Sequence, residues 1–443
     1  MSTSVKTIMA AAGNAGGDSY WYRVYELSQS ENFYFRDVAT DSSGNVYAAG
    51  IEFVAIDGNC LVKLSADGDH EFAKQNTSRP DCYAVTVLSD DTPVFFPSQA
   101  GGDSMFYLAL NPDTGARDTE IKYSGNGTTE IFDAARDSND NVLIAGKFRS
   151  TNTGDSAPSV ISIDSSDGSI NWGRGFHYNN LSSGERSRGV VVDSSDNVYA
   201  VASISGGDVN AIKYNSSGVV QWEMRQNTAV GLIESCVVDS SNNLYFSGQE
   251  GGSDAGLLLG KIASDGSALT YIYKYATNNK VEGQKLAIDS SDNIYLVGFQ
   301  EFNNSSSTRR GVITSVDTSG NINWQRFFYP SGETSYNCQI LGVTVDPNDN
   351  LIICGRWGVT LGANAFIAKL PSDGSLTGNY GTGDYSLTYT STGTSLTRQN
   401  ATDYGGFTSS ILNYTVGSYT VASTTDSHSN APIGTGVFTQ IEE

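Results

Sequence analysis

The stretch Val190-Val-Val-Asp-Ser-Ser-Asp-Asn-Val-Tyr199 decides the fold, because variants of it recur along the chain. The β-branched residues before Asp193 favour a strand, and Val198-Tyr199 favour the start of another. The Asp-Ser-Ser-Asp-Asn between them is typical of a tight hairpin turn. Asp and Asn side chains bond nearby backbone amides, and Asn or Gly accepts the left-handed conformation. Each copy therefore predicts a β-hairpin.

Seven copies of this hairpin signature are spaced roughly 46 to 57 residues apart, which is typical of propeller blades. The other six are Val38–Tyr47, the degenerate Val85–Val94, Asp133–Val142, Cys236–Tyr245, Leu286–Tyr295 and Val343–Ile352. A third strand such as Ala211–Tyr214 follows, then a turn ending in Gly, then a strand with an aromatic residue. That aromatic residue is Trp172, Trp222, Tyr271 or Trp324. The sequence predicts an all-β, seven-bladed β-propeller of four-stranded antiparallel blades.

The two ends of the repeat array predict how the ring closes. Residues 20–27 read as a fourth strand, yet they precede the first repeat, whereas the fourth strand of the last repeat, at 376–380, is weak. We expect the N-terminal strand to complete the last blade, because this removes an exposed sheet edge. Trp21 should then hold the place in blade 7 that Trp222 holds in blade 4.

Three segments are expected: an N-terminal arm (1–19), the propeller (20–380) and a small strand-rich C-terminal tail (381–443). About a third of the tail is Ser or Thr, and Tyr414–Val421 reads as a hairpin turning at Gly417-Ser418. Two interpretations of the tail stay open. In the first, the tail has no partner subunit and is an arm laid on the propeller or a flexible extension. In the second, it is an assembly segment that pairs with other subunits.

Composition excludes several classes of protein. The net charge of −22 argues against a nucleic-acid partner, and 38% hydrophobic residues argue against disorder. No apolar run approaches the roughly 20 residues that span a bilayer, so no membrane insertion is expected. Five cysteines without a CxxC pair indicate buried free thiols. The apolar stretch 8–12 is shorter than a signal-peptide core, so secretion by a standard signal is not expected.

Two resemblances follow from these motifs. Asp41–Tyr47 and Ala365–Gly374 resemble the bacterial SBBP-type β-propeller repeats, and this likeness covers about residues 20–380. It implies the fold and is nearly silent on activity. Separately, residues 1–17 followed by Tyr20-Trp-Tyr22 look like propeller proteins of marine bacteriophage virions. That second resemblance implies a virion protein, assembled in the host cytoplasm and oligomeric in the particle.

The variable loops hold the candidate binding residues. Loops between the second and third strands of a blade, and between blades, lie on one face of the ring and differ in every repeat. Such loops on a rigid frame normally carry function, and Arg and aromatic residues anchor interfaces and stack on sugars. The candidates are Phe148, Arg149, Arg186, Arg188, Phe302, Arg309, Arg310, Arg356 and Trp357.

Catalytic and metal motifs find little support, and no catalytic residue, metal or cofactor is predicted. His70, His177 and His428 lie in loops or polar segments outside any HExxH or triad context. Residues 137–141 and 346–350 alternate oxygen side chains as calcium loops do, but they lack the downstream Glu of such loops. Structural turns are favoured there, with a calcium site as the alternative.

Three functional hypotheses remain. The favoured one is a non-enzymatic virion structural and interaction protein, in a phage tail or as a capsid-appended propeller. Its partners would be other virion proteins and a host-surface glycan or protein. The alternatives are a bacterial surface or secreted propeller for adhesion or carbohydrate binding, and a polysaccharide hydrolase or lyase.

Overall fold

The computed structural model describes most of the propeller and parts of both ends. The described residues are 2–7, 19–27, 32–53, 58–76, 81–98, 104–124, 130–149, 156–175, 186–204, 208–226, 230–250, 256–277, 279–301, 308–331, 337–358, 364–380, 387–391, 396–400, 422–424 and 437–441. Within these ranges the regular structure is all strand, and no helix is long and apolar enough to cross a membrane.

The strands follow one another in a regular series. In chain order they are β1 (Ser2–Thr7), β2 (Trp21–Leu27), β3 (Asn32–Thr40), β4 (Val46–Phe53), β5 (Gly58–Leu64), β6 (His70–Asn76), β7 (Asp81–Val87), β8 (Pro93–Ser98), β9 (Ser104–Leu110), β10 (Arg117–Ser124), β11 (Glu130–Arg136), β12 (Val142–Arg149), β13 (Ser156–Ile163), β14 (Ile170–Gly175), β15 (Arg186–Val192), β16 (Val198–Ile204), β17 (Asp208–Tyr214), β18 (Val220–Gln226), β19 (Val230–Val238), β20 (Leu244–Glu250), β21 (Leu257–Ile262), β22 (Leu269–Ala276), β23 (Val281–Ile288), β24 (Ile294–Glu301), β25 (Arg309–Val316), β26 (Ile322–Pro330), β27 (Gln339–Val345), β28 (Leu351–Trp357), β29 (Asn364–Leu370), β30 (Gly378–Tyr380), β31 (Leu387–Thr390), β32 (Thr397–Asn400), β33 (Ala422–Thr424) and β34 (Val437–Ile441).

Seven sheets of four antiparallel strands form the predicted propeller. Blades 1 to 6 are β3–β6, β7–β10, β11–β14, β15–β18, β19–β22 and β23–β26, and blade 7 has the order β27-β28-β29-β2. The first strand of each blade packs against the first strand of the next, so these strands surround the central channel. The hydrophobic core lies between neighbouring blades, where the two sheet faces meet.

The N-terminal strand closes the ring, as the sequence predicts. β2 pairs antiparallel with β29, so Trp21 lies opposite Lys369. Trp21 Nε1 donates to the carbonyl oxygen of Ala66 in blade 1 at 3.0 Å, and Trp222 Nε1 donates to Ser264 in blade 5 at 3.1 Å. The two tryptophans therefore occupy equivalent places at two different seams between blades.

Each seam also places an outer-strand side chain on a glycine of the next blade. Gly68 has a φ of +82°, and a Cβ there would lie 2.4 Å from the Trp21 ring, so both conformation and space require glycine. The same contact recurs around the ring, at Phe72–Gly115, Ile121–Gly168, Trp172–Gly218, Trp222–Gly266, Tyr273–Gly320 and Trp324–Gly374. Through this glycine, the second turn of every blade thus packs against the outer strand of the blade before it.

The first turn of each blade is organised around its leading Asp. Asp193 Oδ1 accepts the backbone amides of Ser195 and Asn197, both at 2.9 Å, and Oδ2 accepts the hydroxyl of Tyr199 at 3.0 Å. Burial by itself would raise the pKa of Asp193, but these donors hold the pKa below its ordinary value. The Asn and Tyr recur at fixed distances after the leading Asp in the sequence because both residues donate these hydrogen bonds to it.

The left-handed residue of that turn corrects one expectation. Asn or Gly was expected, yet Asp196 holds a φ of 60°, and its carboxylate reaches the preceding blade. Ser138 donates to it through its backbone amide at 2.8 Å and its hydroxyl at 2.7 Å. We call this pair the Ser–Asp clasp. It recurs at Ser42–Asp91, Ser89–Asp140, Ser240–Asp292 and Ser290–Asp349.

The seam between blades 7 and 1 shows why the clasp needs both partners. Pro347 stands where five other blades carry the donating Ser, and proline has neither the amide hydrogen nor the hydroxyl. The facing left-handed residue is Gly44, at a φ of 81°. Without a donor the carboxylate has nothing to accept, and glycine takes this conformation at the least cost.

The C-terminal segments add strands to the outer edges of blades. β31 pairs with β26 of blade 6, β32 with β22 of blade 5, β33 with β10 of blade 2, and β34 runs parallel to β1 beside blade 7. Leu396 is buried and exchanges two hydrogen bonds, of 2.9 and 3.0 Å, with the side chain of Gln325. The hairpin expected at 414–421 lies outside the described residues.

The five cysteines are confirmed as free and buried. They are Cys60, Cys82, Cys236, Cys338 and Cys354. Burial raises the pKa of the Cys236 and Cys354 thiols well above its ordinary value, so these two sulfurs are held as neutral thiols.

Deletion of residues 1–30 should open blade 7 and expose the edge of β29, which then pairs between molecules. We expect oligomers in size-exclusion chromatography and a lowered melting temperature. The control is a deletion of residues 1–18, which removes β1 but keeps β2 paired with β29, so only the further effect of the longer deletion measures the loss of β2. A monomer with unchanged melting after the longer deletion would contradict the closure.

The Ser–Asp clasp should behave as one energetic unit. Ser138→Ala and Asp196→Gly should each lower the free energy of unfolding by about 1 kcal/mol, because each removes a hydrogen bond to a charged group. Both substitutions break the same hydroxyl–carboxylate bond, so the double variant should lose clearly less than the sum of both. Urea denaturation of the four proteins measures the coupling, and full additivity would argue against the clasp.

Candidate functional site

The inner strands share a bulge that shapes the channel. In each blade the pairing of the first strand with the second shifts by an extra residue, as between Phe35 and Asp37, and a bulge re-aims the inserted side chain. The bulge residues all line one cavity at the channel axis. They are Arg36, Tyr83, Phe132, Arg188, Glu234, Gln284 and Leu341.

This cavity, which we call the funnel, opens on the variable-loop face. It has a volume of about 390 Å³ and is lined from the beginnings of the inner strands, which follow the loops between blades. A second cavity of about 310 Å³ lies along the later residues of the same strands, toward the first turns. Lys285 lines both cavities, so its side chain lies where the two cavities meet.

An ion triad forms the floor of the funnel. Lys285 Nζ lies 2.7 Å from Asp37 Oδ1 and 2.9 Å from Asp133 Oδ1. The other carboxylate oxygens accept the backbone amides of Val85 and Val190, each at 3.0 Å. The triad therefore connects blades 1, 3 and 6 across the channel, and through the amides it also holds blades 2 and 4.

The charges of the triad depend on one another. Burial by itself would lower the pKa of Lys285, but Asp133 and Asp37 raise it well above its ordinary value. Burial raises the pKa of Asp37, and Lys285 opposes that rise. The ammonium group is thus the counter-ion of the two carboxylates inside the channel.

One side of the funnel is basic and aromatic. The Arg36 guanidinium lies 4.7 Å from the centre of the Tyr34 ring and 5.2 Å from that of Tyr83. On the neighbouring blades, Arg188 and Arg186 lie 4.8 and 5.4 Å from the Phe132 ring. Each of these distances is within cation–π range. We call these six residues the cation–aromatic arc. They are Tyr34, Arg36, Tyr83, Phe132, Arg186 and Arg188.

The opposite side is acidic and rich in amides. Glu234, Gln249, Glu282 and Gln284 line it from blades 5 and 6, and we call them the acid–amide arc. Glu234 is paired with Arg188, and Glu282 with Lys280. Burial raises the pKa of Glu234, while Arg188 opposes the rise. The funnel thus offers cations and ring faces on one side, and hydrogen-bond acceptors and amide donors on the other.

The predicted binding residues are only partly brought together. Arg186 and Arg188 line the funnel, on β15. Arg309 is paired with Glu301 at 2.9 Å, Arg310 lies over Tyr329, and Arg356 is half-buried with its pKa lowered by burial. The side chains of Phe148 and Arg149, and the whole of Phe302, lie outside the described residues.

Trp357 requires a correction. Its assignment to a variable loop is wrong, because it is the last residue of β28 and is 0% exposed. Its ring packs 5.2 Å from that of Tyr22 and 6.0 Å from that of Phe328, between blades 6 and 7. Trp357 thus belongs to the core.

The bulge residues escaped the sequence-based selection, although a signal exists. Arg36, Phe132, Arg188 and Glu234 each stand five positions before the leading Asp of the first turn, and so do Gln284 and Leu341. The position varies among repeats in charge and size, whereas the residue two positions later is small or apolar in every repeat. Variation at one fixed position of a repeat is what a shared binding cavity requires.

The candidate catalytic and calcium residues have local partners. His70 begins β6, not a loop, and burial lowers its pKa to about 4, while His177 and His428 lie outside the described residues. In the turn at 346–350, Asp346 accepts the amides of Asn348 and Asn350, both at 2.9 Å, and pairs with Lys369 at 2.8 Å. Among the described side chains, no group of three or more His, Cys, Asp or Glu is placed to hold a metal ion.

Comparisons with known proteins bear on the fold alone. No protein-family model matches the chain, and no curated protein sequence matches it. Among solved structures, U3-55K matches at a TM-score of 0.51 and 9% identity, over 81% of this chain and 100% of that one. The Neurospora crassa Pan2 WD40 domain matches at 0.48 and 11% identity, over 76% and 89%. Kuenenia stuttgartiensis hydrazine synthase matches at 0.49 and 9%, over 72% and 91%.

Replacing the triad's lysine should destabilise the protein in a pH-dependent way. Lys285→Met leaves buried carboxylates without a counter-ion, so we expect a loss of about 3–5 kcal/mol at pH 7. Without Lys285 the pKa of Asp37 rises further. A raised carboxyl pKa costs stability in full above the raised value, and this cost shrinks as the pH falls and vanishes below the ordinary pKa of 3.8. The loss should therefore shrink as the pH falls toward about 5.

Urea denaturation at both pH values measures this loss. The control variant adds Asp37→Asn and Asp133→Asn, which should recover part of the stability at pH 7. Equal losses at both pH values, or no recovery in the control, would contradict the role of the triad. In the unaltered chain, the raised pKa of Lys285 makes its contribution complete below its ordinary pKa of 10.5, and the contribution is lost as the pH rises beyond that value.

Proposed function

We propose that this chain is a non-enzymatic interaction protein of a virion, in a phage tail or as a capsid-appended propeller. It contacts a host-surface glycan or protein, or neighbouring subunits, through its variable-loop face. The observation that carries the proposal is the funnel, which opens on that face and is lined by Arg and aromatic side chains. With Lys285 of the ion triad at its base, the funnel offers a recess for a ligand.

The chemistry of the funnel supports binding more than catalysis. Its carboxylates are already engaged, since Glu234 is paired with Arg188 and Glu282 with Lys280. Burial raises the pKa of the Tyr83 hydroxyl to about 12, so this phenol is a poor base near neutral pH. Arg and aromatic side chains in a polar cavity are typical of recognition sites.

The virion assignment is supported by sequence resemblance. The start of the chain and Tyr20-Trp-Tyr22 are similar to virion propellers, and the repeats are similar to the SBBP type. The C-terminal strands that extend the outer edges of blades are consistent with strand-pairing chemistry that also joins subunits. A bacterial surface or secreted propeller that binds carbohydrate is the alternative with the same binding face.

Mass spectrometry of density-purified phage particles tests the assignment. We expect peptides of this chain to co-purify with the major virion proteins at a constant ratio across the gradient. The matched control is a preparation from uninfected host cells carried through the same gradient. Absence from the particles would overturn the virion assignment, and recovery from the surface of uninfected cells would favour the bacterial alternative.

A polysaccharide hydrolase or lyase is the second candidate, because Glu234 and Glu282 line the same cavity and burial raises the pKa of Glu234. Release of reducing ends, or of unsaturated products, from a polysaccharide by the purified chain would contradict the non-enzymatic proposal. Loss of that release in Glu234→Gln would assign the activity to the funnel.

A further inference from the structure

Among the described residues that line the funnel, Arg36 is the one cation without a carboxylate in contact. Within the described part of the chain, Arg188 is paired with Glu234, and Arg186 lies 3.5 Å from Glu130. No carboxylate of the described residues forms an ion pair with Arg36. Its terminal nitrogen donates to the Tyr34 hydroxyl at 3.1 Å, and its Nε is buried without a partner among these residues. Arg36 is therefore the side chain prepared to receive an anion.

The surroundings of Arg36 hold it in place for this role. Its guanidinium lies between the rings of Tyr34 and Tyr83, at 4.7 and 5.2 Å from their centres. Arg356 also lies over the Tyr34 ring, at 6.0 Å, which adds positive charge on the same side. A guanidinium fixed between two rings loses little freedom when it binds a carboxylate, and its fork matches the two carboxylate oxygens.

The adjacent part of the arc offers an apolar wall. The Tyr83 and Phe132 rings lie 5.8 Å apart and continue around the cavity from the position of Arg36. Flat aromatic faces of this kind accept the C–H face of a sugar ring or another thin apolar surface. An anion-binding group followed by an aromatic wall selects a ligand with a charged end and a flat body.

The other side of the funnel is suited to hydroxyl groups. Gln249, Gln284 and Glu282 line it, and the buried Oε1 of Gln249 has no partner among the described residues. Amides and carboxylates that face a cavity can accept and donate the several hydrogen bonds that vicinal hydroxyls need. The volume of about 390 Å³ accommodates one or two sugar rings.

We propose that the funnel binds a carboxylated pyranose, a uronic acid, with the carboxylate at Arg36, the ring against Tyr83 and Phe132, and the hydroxyls at the acid–amide arc. The inference deepens the proposed function and rests on it for the choice of binding face. The carboxylated sugar is either free or the end of an acidic polysaccharide, and both sources share this chemistry.

Calorimetry of the full chain with sodium glucuronate and with glucose tests the proposal, because the two sugars differ only at C6. We expect glucuronate to bind at least about ten-fold more tightly than glucose, since a hydrogen bond to a charged group contributes about ten- to hundred-fold in affinity. Arg36→Gln should abolish that preference and leave glucose binding unchanged. Raising the salt concentration should weaken glucuronate binding and leave glucose binding unaffected.

Two controls keep the result interpretable. Arg136→Gln removes an arginine on the opposite face, where it pairs with Asp140, and it should leave the preference intact. Arg36→Lys keeps the cation without the fork and should restore part of the preference even if Arg36→Gln does not fold. A homopolymer of glucuronate distinguishes the free sugar from the end of a polysaccharide as the ligand. A site that accepts chain ends binds the homopolymer in proportion to the number of its ends, whereas a site for the free sugar alone does not bind it.

Equal affinity for glucuronate and glucose, binding of neither sugar, or a preference that survives in Arg36→Gln would overturn the proposal. These outcomes are distinguishable from failure of the virion assignment. A chain that is present in particles but does not prefer glucuronate retains the proposed function and loses this ligand. A chain that prefers glucuronate but is absent from particles retains the ligand and loses the virion assignment.

Discussion

The fold depends on one contact that is repeated at every seam between blades, an outer-strand side chain seated on the left-handed glycine of the next blade. At six seams the two partners lie within neighbouring repeats, such as Trp172 and Gly218. At the seventh, Trp21 comes from the N-terminal strand and Gly68 from blade 1. Because β2 completes blade 7, this one seam fastens the end of the ring to its beginning, and the outer edge of β29 is paired.

A closed ring determines what the interior can contain. Inner strands converge on the axis, so one bulge residue from each blade reaches the same cavity, although neighbours are about one repeat apart in the chain. The same convergence brings Lys285 between Asp37 and Asp133, from blades 6, 1 and 3. Groups that would be costly to bury singly are compatible there because each is paired and hydrogen-bonded. The triad lies across the channel where the two cavities meet, and the funnel on one side of it is the recess that a binding function requires.

The two faces of the ring have different roles, stability on one and the proposed binding on the other. The first turns are held by the Ser–Asp clasp and by the leading Asp, so their acidic side chains are mostly occupied with structure. Much of the negative charge of the chain lies in these turns and says little about partners. The variable-loop face carries the funnel, where cations and aromatic rings face acids and amides. The residues that repeat in the first turns thus stabilise one face. The bulge residues, which differ between repeats, form the candidate binding site on the other face.

The sequence by itself determined the number of blades, the strand order, both turns and the closure by Trp21, because these depend on contacts a few residues apart or on a pattern that repeats. It did not determine which side chains share the funnel. Arg186 and Arg188 were found, whereas Arg36, Tyr83 and Phe132 were missed and Trp357 proved to be core. Only the tertiary structure decided these points, because the bulge aims one residue per blade at the axis and ring closure brings residues from all seven blades together.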